Sequence, residues 1–203
     1  MMVALPAVRF LPSYPQIVRS VSTSRDGARA MAFVEWADPY WTVQMQTKPL
    51  SASERLLVEA FADAARDGLV TVAYTPKHMC VPRAYWGDAG NAALANTGAI
   101  SAITNARSVT VNSIDNGLTL GPGDLVGFEK DGSRALARIQ TGGVAAGNAL
   151  GITFEPPLAS YITTGAVVTF KNLVLNTRLL PGSFNMSDGN RPSASFTLVE
   201  VPK

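Results

Sequence analysis

The chain has 203 residues, of which 47% are hydrophobic and 16% charged, with a net charge of +2. That composition excludes disorder, which needs low hydrophobicity and high net charge, and it lacks the basic excess of a polyanion binder. One cysteine (Cys80) and one histidine (His78) exclude an intrachain disulfide and a Cys/His zinc site built from this chain alone, which needs about four ligands.

The N-terminus shows no export signal. A signal peptide needs a basic start and then about 7–15 unbroken apolar residues. Here Pro6, Arg9, Pro12 and Pro15 interrupt each run. No stretch approaches the ~20 apolar residues of a membrane helix, so no membrane insertion is expected and a reducing cytoplasm is the expected site of synthesis. Ile17 to Val21 can form a short extended segment, and Met31 to Trp36 reads as a strand. Asp38-Pro39 is expected to end that strand, since the residue before proline is restricted. From Tyr40 a cleaner strand follows, with Trp41, Val43 and Met45 on one face and Thr42, Gln44 and Gln46 on the other. A period of two marks a half-buried strand.

The only convincing helix comes next. Ser51 and Glu54 form an S-x-x-E capping box. Leu57, Phe61, Ala64 and Ala65 recur at helical spacing, and Gly68 stands where a C-cap glycine belongs. The predicted helix is 52–67, with Glu54, Arg55, Glu59, Asp63 and Arg66 solvated. A strand over Leu69 to Thr75 follows. Gly87 to Gly98 reads as a connector.

From Leu94 to Asn176 the chain carries most of its 17 glycines and no helical pattern. Five short strands are predicted, at Ser108–Ile114, Asp124–Glu129, Ala135–Gln140, Ala149–Phe154 and Ala166–Phe170. Asp131-Gly132 is a two-residue hairpin signal. Such spacing suggests a small barrel or sandwich. Ser193 to Val201 then alternates again and needs a sheet partner. The first part of the chain supplies it, so the expected organisation is a split domain, 1–93 plus 177–203, carrying an inserted all-β domain, 94–176. The expected fold class is mainly β with one α-helix.

Chemistry is sparse. His78 and Cys80 lie two apart, but no motif supplies an oxyanion hole or an orienting group, and a loop histidine beside a buried thiol is favoured. Asp124 and Glu129 are separated by an odd number and point to opposite strand faces. Asp38, Asp88 and Asp188 flank Pro or Gly and read as turn formers. Gly121-Pro122-Gly123-Asp124 and Gly142-Gly143 through Gly147 lack the Gly-Lys-Ser/Thr ending and the helix of a phosphate loop. Trp36, Tyr40, Trp41, Tyr85 and Trp86 could form a sugar platform, but core or interface roles are favoured. Arg9, Arg19, Arg25 and Arg29 make the only basic run. No catalytic, cofactor-binding or metal-binding residue is predicted, and no enzyme activity.

The order strand, strand, capped helix, strand, small β domain and return strand resembles the distal tail protein of long-tailed bacteriophages. The matching segments are Trp41 to Thr47, Ser51 to Gly68, Leu69 to Thr75 and Ser193 to Val201. Within the insert, Leu120-Gly121-Pro122-Gly123-Asp124, Arg138 to Gly142, Phe154-Glu155-Pro156-Pro157-Leu158 and Gly165 to Val168 are similar to phage tail and baseplate proteins. The resemblance implies a tail-tube-like β-sandwich plus helix carrying an inserted small β-barrel or sandwich. It implies a virion protein of the tail tip, assembled in the bacterial host cytoplasm. Its partners would be itself in a ring, typically a hexamer, the tail tube protein and the tail-tip or baseplate hub, with DNA only passing through the lumen. The expected subunit-interface residues are Trp41, Val43, Gln44, Met45, Arg55 and Glu59. A tube or tail-completion subunit, or a carbohydrate-binding module, is the alternative reading.

Overall fold

A computed structural model describes residues 2–25, 31–77 and 80–202. The fold is mainly β with one α-helix among those residues. No helix in them is long and apolar enough to cross a membrane.

Four strands precede the barrel: β1 (Met2–Ala4), β2 (Gln16–Arg25), β3 (Met31–Gln46) and β4 (Thr71–Tyr74). The helix, α1 (Ala52–Ala65), lies between β3 and β4. The capping box is present in full. The Ser51 hydroxyl accepts from the Glu54 N–H at 3.4 Å, and the Glu54 carboxylate accepts from the Ser51 N–H at 2.8 Å. Two points differ from expectation. The helix buries Val58, Phe61 and Ala65, while Leu57 and Leu56 are exposed. Leu56-Leu57-Val58 offers three apolar choices of face, and Phe61 against Phe196 (centroids 5.4 Å apart) settles it. The helix also stops earlier, with Arg66 and Asp67 already in the left-handed region (φ 47° and 46°). Gly68 (φ 89°) completes the turn, and a Cβ there would stand 2.5 Å from the Leu179 carbonyl oxygen.

The strands β5 (Gly98–Asn105), β6 (Ser108–Asn112), β8 (Leu125–Lys130), β9 (Ser133–Thr141), β11 (Ala149–Glu155) and β12 (Val167–Thr169) close a barrel in the order β11-β6-β5-β12-β8-β9. Between them β7 (Thr119–Leu120) and β10 (Gly143–Val144) pair separately. Five of the six barrel strands correspond to predicted ones. The sixth, β5, is built of small residues (GAISAITN) and was not anticipated. A side chain at its Gly98 would collide with Val111. The β8–β9 hairpin turns on Asp131 and Gly132, both at positive φ (51° and 80°), as a type I′ turn requires.

The chain then returns to the open sheet with β13 (Leu175–Leu179), β14 (Asn185–Met186) and β15 (Ala194–Glu200). The sheet order is β1-β4-β13-β15-β3-β2, with β14 on β15. Its covered face carries Trp41, Val43, Met45, Val72, Tyr74, Leu175, Phe196 and Leu198. The barrel has its own core around Ile100, Val111, Val126, Phe128, Ile139, Ile152 and Phe154. Leu125 and Leu136 leave that core and join the sheet's. Hence β8 is buried on both faces and reads as the unbroken apolar run LVGF.

Asp38-Pro39 does not end a strand. It lies within β3, where Val18 pairs with Tyr40 and Ser20 with Ala37. Arg19 therefore faces two residues, and the bulge accommodates a proline that has no N–H to give to the ladder. Asp38 is thus a bulge residue and not a turn former.

Candidate functional site

Beyond Thr42, β3 has no third strand beside it among the described residues. The strand β15 pairs only with Thr42 to Gln46, whereas β2 continues along β3 to Arg25 opposite Met31. The result is a two-stranded arm. Nine residues of rise from Tyr40 to Met31 give it a reach of roughly 30 Å. Every residue from Met31 to Asp38 is exposed. Met31, Phe33, Val34 and Trp36 are among them, with Phe33 67% and Trp36 71% accessible, and Val21 on the facing β2 is exposed as well. Strand alternation puts Met31 and Phe33 on one face and Val34 on the other. Trp36 occupies a second bulge, between the Ser20–Ala37 and Val21–Glu35 pairs. An isolated two-stranded ribbon is marginally stable in water, and contiguous exposed apolar surface marks an interaction site.

The root of the arm is tied to the barrel by an ion chain. The Arg19 guanidinium reaches Glu35 at 3.4 Å and Glu155 at 2.8 Å, and Arg107 reaches Glu155 at 2.6 Å. Burial disfavours the charged form of Glu155. The two guanidiniums outweigh it and hold the carboxyl below its ordinary value. The Glu155 hydrogen bond in turn raises Arg19.

Behind the arm, Trp41 fills the seam between sheet and barrel. It is fully buried, its indole N–H donates to the Leu136 carbonyl at 2.6 Å, and the Arg138 guanidinium sits 5.2 Å from its ring centroid. Asn176 reinforces the seam, donating to the carbonyls of Gly132 and Pro202 at 3.0 and 2.9 Å.

No protein-family model matches the chain, and no curated protein matches it. Local geometry therefore carries the assignment of each predicted residue. Trp41, Val43 and Met45 are buried in the chain's own core, which corrects their expected place on a subunit interface. The alternating pattern identified the covered face correctly, but the cover is α1 and the barrel. Gln44 is exposed on the opposite face. Arg55 and Glu59 lie at the surface and pair with each other at 2.8 Å.

The five aromatic residues are not brought together. Tyr85 is buried, with its hydroxyl accepting from the Thr119 N–H at 2.8 Å. Trp86 is exposed by itself, Trp36 is on the arm and Trp41 in the seam. His78, Asp26 and Arg29 lie outside the described residues, so the His78–Cys80 pair and part of the basic run have no geometry here. Cys80 is a free, half-buried thiol.

Asp124 is a structural acid. Its two carboxylate oxygens accept from the N–H groups of Arg83 (2.8 Å) and Gly121 (2.7 Å). It closes its own Gly-Pro-Gly turn and pins the 82–86 loop to the barrel. The arm residues Phe33 and Val34 are not singled out by the sequence reading, which names Trp36 as a candidate only among five aromatic residues and Arg19 only within the basic run. The available signal was the run Met31-Ala32-Phe33-Val34-Glu35-Trp36, apolar on both faces in a strand with no second turn signal to bury it.

Proposed function

We propose that this chain is a non-enzymatic structural subunit of a phage tail. It would form a closed ring, typically a hexamer, that joins the tail tube to the tail tip or baseplate. The single observation that carries the reading is the arm, whose apolar residues are uncovered on both faces and which needs a neighbour to bury them. A heterologous contact of this kind closes into a ring when the rotation between copies allows.

A second feature agrees. The uncovered face of the open sheet presents Thr42, Gln44, Gln46, Ser195 and Thr197, and Arg178 is the one basic residue in register with Thr42 across β15. Such a face suits a lumen through which DNA passes without being held, because phosphate binding is dominated by Lys and Arg. The barrel between β4 and β13 favours the adaptor over a plain tube subunit, which needs only the sheet and helix. The tail tube protein and the tip or baseplate hub would be the partners above and below.

The test is the mass and image of the purified protein. Light scattering and negative-stain microscopy are expected to show a ring of one stoichiometry. Replacing Phe33 and Trp36 by Asp is expected to leave the circular dichroism spectrum intact and to abolish the ring. A ring that persists in that double variant would refute the role given to the arm.

A further inference from the structure

The seam opens on one side into a cleft of about 340 Å³, bounded by the arm root, the barrel and the end of β15. Its accessible walls are largely apolar, with Pro157, Leu158, Ala159 and Val201 beside Tyr40 and Tyr161, and the buried Phe128 and Phe154 lie beneath them. Two carboxylates line it, Asp38 from the arm root and Glu200 from β15, and no Lys, Arg or His does. Among the described residues neither carboxylate has an ion-pair partner. Glu200 is half-buried, and the Trp41 N–H donates to its Oε2 at 2.9 Å. A carboxylate withdrawn from water without a counter-charge is unfavourable. A cation entering the cleft would relieve that penalty. The volume lies at the small end of ligand pockets, which start near ~300 Å³.

We propose that this cleft binds an ammonium or guanidinium group carried on a short apolar stem, with Glu200 as its counter-ion. The stem packs against Pro157, Leu158 and Tyr161, and Asp38 adds a second negative charge at the arm root. A free alkylamine and a Lys or Arg side chain of another copy present the same chemistry. The site stands whether or not the chain forms a ring.

Burial pushes Glu200 up to about 7, against the hydrogen bond from Trp41. Asp38, Tyr40 and Tyr161 are the other titratable groups lining the cleft. A cation should therefore bind more tightly at pH 8 than at pH 6, where Glu200 holds a proton.

The experiment titrates the whole chain with n-pentylammonium and with n-pentanol, read by calorimetry and by amide chemical shifts. At pH 8 the ammonium is expected to bind at least tenfold more tightly than the alcohol. Glu200→Gln is expected to erase that difference while keeping the hydrogen bond from Trp41. Equal affinities for the two probes, or an ammonium affinity unchanged in Glu200→Gln, would overturn the proposal. Should the variant not fold, the wild-type comparison of pH 6 with pH 8 decides, and identical affinities overturn it. Competition by pentylammonium against self-association assigns the natural cation to a second copy, whereas an unaffected oligomeric state assigns it to a free ligand.

Discussion

Glu200 and Glu155 show how residue chemistry depends on what surrounds a carboxyl. Glu155 has two arginines and is held below its ordinary value. Glu200 has one backbone N–H and is pushed up by burial. The consequences for stability have opposite signs. Glu155 contributes stability that is present above the unfolded carboxylate value and is lost as pH falls through its lowered one. Glu200 binds its proton more tightly when folded, so its contribution is fully present below the unfolded value and declines as pH rises toward about 7. Urea midpoints measured from pH 4.5 to 8 should show that decline, and Glu200→Gln should flatten it. An unchanged slope in the variant would place the decline elsewhere. The pair Asp131-Gly132 is the residue-scale feature most legible beforehand, because a type I′ turn depends on two adjacent φ angles and on nothing distant. Glu200 was illegible, since its neighbours come from β3, the barrel and the loop holding Tyr161.

At the scale of elements, local signals predicted existence better than orientation. The capping box marks the start of α1 correctly because Ser51 and Glu54 satisfy each other's N–H groups within one turn. Ser51→Ala is expected to destabilise the protein by about 1 kcal/mol, measured by urea unfolding, and Ser51→Asp to restore most of it. The buried face of α1 was misread at Leu57 because three successive apolar residues leave the choice to the partner surface. The strand β3 was expected to stop at Asp38-Pro39, since a proline costs a ladder bond. The bulge opposite Arg19 removes the need for that bond, so the strand continues into the arm. The strand β5 escaped notice because its small side chains leave no strong alternation, and its place is decided by neighbours on both sides in a closed barrel.

For the whole molecule, the seam makes the sheet and the barrel depend on each other. Trp41 buries its indole against Leu136 and Arg138, so its removal leaves a large cavity and an unpaired carbonyl. Trp41→Ala is expected to cost ~3–5 kcal/mol, seen as a lowered calorimetric midpoint. A loss below 1 kcal/mol would mean that the seam contributes little. The arm has the opposite character, being tied at its root by Arg19 and bare along its length. Partly exposed ion pairs such as Arg19–Glu155 are worth ~1 kcal/mol or less each. They set the direction of the arm more than the stability of the fold.

The sequence by itself determined the β class, the single capped helix, most strand positions, the tight turns and the want of a Cys/His zinc site. These follow from neighbours within a few residues or from composition. Only the tertiary structure decided which apolar faces the chain covers for itself and which it leaves bare. Trp41 and Phe33 both lie in β3 and both look buried by pattern. One meets Leu136 across the seam, and the other is left 67% exposed among the described residues. Periodicity reports that a face is apolar; the path of the rest of the chain determines what covers it.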